Sequence, residues 1–504
     1  MSYPTSNIEF MFDEMDSGDL SRADDAVVVG AVGSWARGEA RAAARRLAAI
    51  GELVARRCPV EADPDLVDER CRWACDPWDA TAAELAAELG ISARRASSQM
   101  YLAQSLRERL PTVNTLFLDG RISARLASTI SWRTHCVVDV RVMAAIDAEI
   151  AAAAAEWGPL SDRKIETLID MVVDAHDPAA RQWFREASRG MDVQFGKPDD
   201  DRGTRSVWGR LLSTHAELIE QRLTAIARGV CAGDPRTVGQ RRAEAMGAVF
   251  AGADRIPCRC GLPECPSPSG SAPKEPVVIH IVADKYAVEA ARAGVGEDSE
   301  QAPSAEGSTA KSSRPRRAML TNGGVVPTPL LAQLIGEGAE IAPLVTPCGA
   351  AEMRYRPSAG LARFIRCRDL TCRFPGCEVP AEGCDIDHAI PWPLGPTHPS
   401  NLRCLCRKHH LLVTFWLGED GWRHQQFADA AIMWTAPTGH TYTTRPGALL
   451  YFPGWDTDTG ALPPVSSDSL KPANRSLRMP RRRRTRYDDR IQRIKHRRTQ
   501  NDTS

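Results

Sequence analysis

Cys367–Trp416 reads CRDLTCRFPGCEVPAEGCDIDHAIPWPLGPTHPSNLRCLCRKHHLLVTFW. Two short turns of metal-ligating residue types stand within it. Cys372 and Cys377 are spaced C-x4-C, and Cys406 and His409 are spaced C-x2-H. Brought together, two such turns supply four thiolate and imidazole ligands in a tetrahedral array, a donor set that suits structural Zn²⁺. A domain of under about a hundred residues has a small apolar core and gains folding free energy from such a metal. Cys367, Cys384 and Cys404 lie close by. Cys406 is preferred to Cys404 because it stands three residues before His409, as a zinc turn requires.

Between the turns lie the pair Asp387-His388 and then Asn401, and His410 directly follows His409. In this order and spacing the stretch resembles the HNH nuclease motif in its zinc-bearing form. The resemblance implies a ββα unit around one divalent ion. It implies Asp387 and His410 as metal ligands and His388 as the general base. It gives Asn401 a catalytic place, either orienting the loop or His388, or ligating the metal. Mg²⁺ or Mn²⁺ fits such oxygen and imidazole ligands. A neutral imidazole accepts a proton from water near pH 7. Adjacent helical residues point about 100° apart, so His409 can face zinc while His410 faces the second ion. One departure stands out. Many HNH helices carry a further histidine four residues after the last one, and here that place is Thr414. The expected function is DNA phosphodiester hydrolysis, with a non-catalytic zinc-stabilised nucleic-acid-binding module as the alternative.

The whole chain has 504 residues, enough for several domains. Acidic and basic residues balance at 64 each, so net charge excludes no partner. Their distribution is uneven. The first residues are acidic (Glu9, Asp13, Glu14, Asp16, Asp19), and Lys471–Arg498 is strongly basic. The N-terminal MSYPTSNIEFMFDEMD lacks a basic n-region and an apolar h-region, and no run of about eighteen apolar residues occurs. A cytoplasmic protein with no membrane partner is expected. Its 15 cysteines are then read as metal ligands or buried thiols rather than disulfides.

Helical periodicity dominates the first half. Ala43, Leu47, Ile50 and Val54 make residues 35–57 an amphipathic helix. Residues 81–110 read as helix, glycine turn at Gly90, helix, with Thr81 and Ser92 as caps. That pattern resembles a helix-turn-helix, in which Arg94, Arg95, Ser97, Ser98 and Gln99 would reach base edges. An ordinary helical hairpin is the competing reading. Asp119-Gly120 marks a turn, Ser123 a cap, and 139–156 and 161–175 further helices. A strand is expected near 191–195 and a helix over 208–230. Asp234 is expected to cap, and Pro235 to open, another helix. Cys258, Cys260 and Cys265 could hold a metal with one outside ligand, although the spacing matches no common four-ligand site. Residues 276–284 alternate as a strand. Residues 294–317 have the composition of disorder. After the last histidines, an alternating segment turning at Thr438-Gly439 reads as a β-hairpin, with His424 and His440 on its surface.

The α-rich first part, the run DPRTVGQRRA at 234–243 and the HNH-like stretch, in this order, resemble the actinobacterial 13E12-repeat family over about residues 30–455. The resemblance implies a bacterial intracellular protein that joins a helical domain to an HNH nuclease. The fold class expected is a mostly α N-terminal domain followed by a small α+β zinc-stapled ββα-metal domain. The expected boundaries are a loose acidic leader over 1–25, an α-helical domain of unassigned function over 26–255 and a Cys/Pro-rich linker over 256–275. A small α/β extension then covers 276–348, the HNH domain 349–455, and a basic disordered tail 456–504. Arg481, Arg482, Arg483 and Arg484 in that tail are expected to contact nucleic-acid phosphates.

Overall fold

The computed structural model describes residues 20–58, 68–154, 157, 160–180, 192–199, 204–211, 213–265, 280–293, 317–321, 325–336, 338–347, 350–463 and 478–502. The leader before residue 20 and nearly all of 294–317 lie outside the described residues. The chain divides into two compact units. One comprises Met1–Trp183, Thr346–Gly447 and Asp456–Ser504; the other comprises Phe184–Val345 and Ala448–Trp455. The Cys/His stretch falls in the same unit as the first helices.

The first unit begins with α1 (Asp25–Arg57), capped by Asp24, whose carboxylate accepts from Val27 N at 2.8 Å. Then follow α2 (Pro77–Leu89), α3 (Ala93–Glu108), α4 (Pro111–Leu118), α5 (Ala124–Arg133), α6 (Val140–Ala154) and α7 (Asp162–His176). Leu47, Ile50 and Val54 of α1 meet Met100 and Leu106 of α3, Phe117, Ile146 and Ile169 in one apolar core. The helical hairpin expected around Gly90 is present. Gly90 takes φ +62, which an L side chain resists, and Ser92 caps α3 by accepting from Arg95 N. Thr81 is not a cap. Asp76 caps α2 and Pro77 opens it, while the Thr81 hydroxyl donates back to Pro77 O. Two cap-type residues compete there, and proline at the first helical position decides between them.

In the second unit, β1 (Asp192–Asp199) and β2 (Thr204–Arg210) pair antiparallel, ahead of α8 (Ser213–Arg228) and α9 (Val238–Phe250). Asp234 does not cap α9. Thr237 does, in a reciprocal box with Gln240. Antiparallel β3 (Ile281–Ala283) and β4 (Ala318–Leu320) pack with α10 (Lys285–Arg292) and α11 (Thr328–Gly336) around Ala287, Ala291, Val326 and Leu331.

Back in the first unit, α12 (Ala359–Asp369) precedes an antiparallel pair, β5 (Cys384–His388) and β6 (Leu402–Cys406), and α13 (Arg407–Phe415). A three-stranded antiparallel sheet follows: β7 (Arg423–Gln426), β8 (Ile432–Thr435) and β9 (Thr441–Thr444). The expected hairpin at Gly439 is its β8–β9 part. Trp434 is fully buried, so it fills the core. Beneath β6 lies a buried charge network. Asp369 accepts from Arg368 Nε at 2.8 Å, Arg373 Nη1 at 3.1 Å and Cys404 N at 2.8 Å. The two guanidiniums also reach the carbonyls of Pro399, Leu402, Ala430 and Thr444. One carboxylate thus ties α12, β6 and the three-stranded sheet together.

The basic tail is corrected where it is described. Residues 486–502 form α14 (Arg486–Asp502), with Ile494 buried. Arg482 and Arg486 converge on Asp76 and Asp79 at the start of α2, and Lys408 of α13 joins them at 2.8 Å from Asp79. Arg498 pairs with Asp177 at 2.6 Å. Two carboxylates exposed by only 2% and 3% need positive partners, and the tail supplies them. Burial and the neighbouring Asp79 push the Asp76 carboxyl up. Against burial, which acts upward, Arg486, Lys408 and Arg482 hold Asp79 below its ordinary value. Arg481 pairs with Glu69, and Arg484 donates to Gln492. Of the four expected phosphate contacts, Arg481, Arg482 and Arg484 therefore bind this chain itself, and Arg483 is exposed. No helix among the described residues is long and apolar enough to cross a membrane.

Candidate metal centre and active site

Cys372, Cys377, Cys406 and His409 come together as a cluster able to hold a metal ion. Their ligand atoms all lie within 4.8 Å of one another. His409 Nδ1 stands 3.5 Å from Cys372 Sγ and 3.3 Å from Cys406 Sγ, and Cys377 Sγ is 4.0 Å from Cys406 Sγ. The local chain explains the convergence. Cys406 ends β6 and precedes the first residue of α13, so His409 rises one turn later on the same side. Cys406 N donates to Cys372 Sγ at 3.2 Å, and Cys377 N closes a tight turn onto Phe374 O. Gly376 in that turn has φ +70, and a Cβ there would meet Ile91 O at 2.6 Å and Ala86 O at 3.2 Å. Only glycine lets the cysteine turn seat on the end of α2. Phe374 stacks on the His409 ring at 4.1 Å and meets Trp422 and Trp434 edge-on. Cys404 is fully buried with its thiol toward Ile365 O, and Cys384 points to Val379 and Pro380 carbonyls.

A second group lies on the other side of α13's first turn. His410 Nδ1 is 2.8 Å from Asp385 Oδ2, and its Nε2 is 3.5 Å from Asp387 Oδ1. Asp385 and Asp387 are two apart on β5, so they leave the strand on one face. A carboxylate on Nδ1–H fixes the tautomer and leaves the Nε2 lone pair toward Asp387. Against burial, which acts upward, His410 and Arg407 hold the Asp385 carboxyl below its ordinary value. Arg403 Nε and Nη2 hold Asp387 Oδ2 at 3.1 and 3.0 Å, so Oδ1 remains on the His410 side. The donor pair, one carboxylate oxygen and one imidazole nitrogen, fits a divalent ion that keeps several waters.

His388 ends β5 and turns the other way. Its Nε2 lies 2.9 Å from Thr397 Oγ1, and that hydroxyl donates to Arg354 O at 2.5 Å. Thr397 has spent its proton, so Nε2–H donates to it and Nδ1 carries the lone pair. Burial, opposed by Asp387, lowers the His388 pKa from the ordinary 6.5, which favours the neutral ring. Tyr355 stacks beside it at 5.5 Å.

Asn401 is buried and entirely committed to the loop after β5. Its Oδ1 accepts from Ile390 N at 2.8 Å, and its Nδ2 donates to Ile390 O and Pro396 O at 3.0 and 2.9 Å. These bonds make it a positioning residue for that loop. Thr414 Oγ1 donates to His410 O. His424 is not a surface residue. Its Nε2 faces Arg403 Nη2 at 3.0 Å, and burial, then Arg403, push its pKa down to about 3. In the helical hairpin Arg94, Arg95 and Ser98 are exposed, whereas Ser97 accepts from Trp78 Nε1. Sequence reasoning missed Asp385, although its position two residues before Asp387 signals a shared strand face.

Uncharacterized protein Rv3776 of Mycobacterium tuberculosis is 50% identical over 485 residues, which span 96% of this chain and 91% of that one. Uncharacterized protein Rv2100 of the same organism is 48% identical over 521 residues, 100% of this chain and 93% of its own length. No solved structure matches the chain significantly. A family model described as "Domain of unknown function (DUF222)" matches residues 34–369, and the chain belongs to that family.

Proposed function

We propose that this chain is a metal-dependent HNH endonuclease that hydrolyses DNA phosphodiester bonds, built on a zinc-stapled ββα unit. The observation that carries the reading is the pair of oriented histidines flanking the end of β5. His410 presents Nε2 beside Asp387 Oδ1, and His388, next to Asp387 on β5, is held through Nε2 on Thr397 Oγ1. In-line displacement at phosphorus uses a base for the attacking water and a cation for the departing oxygen, and Asp387 and His388 stand side by side at the end of β5.

Each residue then has a defined task. His388 Nδ1 accepts a proton from the attacking water while Thr397 keeps the ring in that tautomer. Asp387 and His410 would hold Mg²⁺ or Mn²⁺, and Asp385 orients His410. When bound, the ion neutralises charge at the scissile phosphate and the departing 3′-oxygen. Asn401 pins the loop that follows His388. Cys372, Cys377, Cys406 and His409 would hold Zn²⁺ and keep β6 and α13 in register. Exposed Arg94 and Arg95 are candidate phosphate contacts.

One observation favours the alternative of a non-catalytic nucleic-acid-binding module. The helix carries Thr414 where many HNH helices carry a further histidine, which leaves Asp387 and His410 as the carboxylate and imidazole ligands the motif supplies. The two readings part in one assay. Supercoiled plasmid is incubated with purified protein and Mg²⁺, Mn²⁺ or chelator. Metal-dependent relaxed or linear product supports the enzyme; retardation without cutting under every ion supports the binding module.

A further inference from the structure

We propose a second structural metal site, of four cysteines, that takes Zn²⁺ and closes the α8–α9 hairpin: Cys231, Cys258, Cys260 and Cys265. Their sulfurs all lie within 4.8 Å of one another. Cys231 Sγ and Cys258 Sγ are 3.5 Å apart, although 27 residues separate them. In a tetrahedral thiolate site with Zn–S near 2.3 Å, sulfurs stand about 3.8 Å apart. A disulfide would need about 2.05 Å and would consume only two of the four. Four converging thiols are the donor set of a closed structural zinc site rather than of a catalytic one.

The surroundings are built for this loop. Asp234 is buried, and its Oδ2 accepts from Arg259 N at 2.9 Å, between the second and third ligands. Arg236 Nη2 donates to Pro257 O at 2.7 Å, just before the second ligand, and to Asp234 Oδ2 at 2.6 Å. A Cβ on Gly233 would lie 3.4 Å from Cys260 Cβ and 3.7 Å from Cys231 Sγ. The Asp234-Pro235-Arg236 run, expected to start a helix, thus clamps the cysteine loop instead. Cys231 is the outside ligand that the spacing of the other three left open. Such a site suits this unit, whose apolar core beside it, among the described residues, is the small cluster of Ile226, Val230, Ala245 and Ile256 with a few partly buried neighbours.

The test uses the full-length chain and is independent of nuclease activity. Zinc is measured per chain in wild type, Cys231→Ser and Cys258→Ser. Each variant should lose one equivalent relative to wild type, while Cys372, Cys377 and Cys406 stay protected from alkylation. Should the variants not fold, the wild type still decides. Iodoacetamide labelling mapped by mass spectrometry should spare the four thiols until a chelator is added, and then reach all four together. Equal labelling with and without chelator overturns the proposal. So does a Cys231→Ser protein that keeps its full metal content, or a Cys231–Cys258 disulfide in protein kept reduced throughout.

Discussion

Asp385 Oδ2 receives His410 Nδ1 at 2.8 Å, and that contact leaves the other ring nitrogen facing Asp387. A carboxylate behind a metal-binding imidazole fixes its rotation and raises its basicity. Losing such an outer partner typically lowers metal affinity or activity about 10–100-fold. Asp385→Ala is therefore expected to weaken divalent-ion binding by that order, with zinc content unchanged. Titration of Mn²⁺ followed by calorimetry reads this directly. Wild-type affinity in Asp385→Ala would show that the contact orients nothing.

Asp369 predicts a stability effect apart from any chemistry. It is wholly buried between Arg368 and Arg373, and its removal leaves two guanidiniums without their counter-charge. Breaking a buried pair in this way costs about 3–5 kcal/mol. Asp369→Ala should lose that order of stability in urea denaturation. Against burial, which acts upward, Arg368 and Arg373 hold its pKa below 3.8. Its contribution is thus present above the unfolded value and is lost as pH falls through the depressed folded one. A loss under about 0.5 kcal/mol, typical of an ordinary surface position, would contradict this account.

The docked tail gives a third expectation. Asp79 binds Lys408, Arg482 and Arg486 together. Asp79→Ala should free residues 478–502 from the first helices and expose their arginines. Limited trypsin digestion should then cleave after Arg482 and Arg486 well before the wild type is cut there. Identical digestion patterns would mean that the ion pairs do not hold the tail.

Local chemistry made part of this molecule legible in advance. A metal turn must place its ligands a few residues apart, so Cys372, Cys377, Cys406 and His409 could be read from spacing alone. Helix caps at Ser92 and Ser123 are equally local. Long-range partners were not legible. Cys231 reaches Cys258 only because α8 and α9 fold back on each other. The tail's composition shows its charge, yet Asp76 and Asp79, some four hundred residues earlier, decide where that charge goes. Asn401 stands out by motif, and its hydrogen bonds to Ile390 and Pro396 show the loop-orienting role among those the motif leaves open.

We propose that His388 acts as base and His410 as ion ligand at one phosphodiesterase site, while His409 belongs to the Cys372/Cys377/Cys406 cluster. The measurement is plasmid cleavage by wild type, His388→Ala and His410→Ala in Mg²⁺ and Mn²⁺, with zinc content and DNA retardation taken on the same preparations. Wild type should cut. Both variants should lose cleavage by at least about 100-fold, the scale of a positioned base, with zinc content and DNA binding retained. His388→Ala cutting at the wild-type rate, or wild type that binds DNA and cuts under neither ion, would contradict the account.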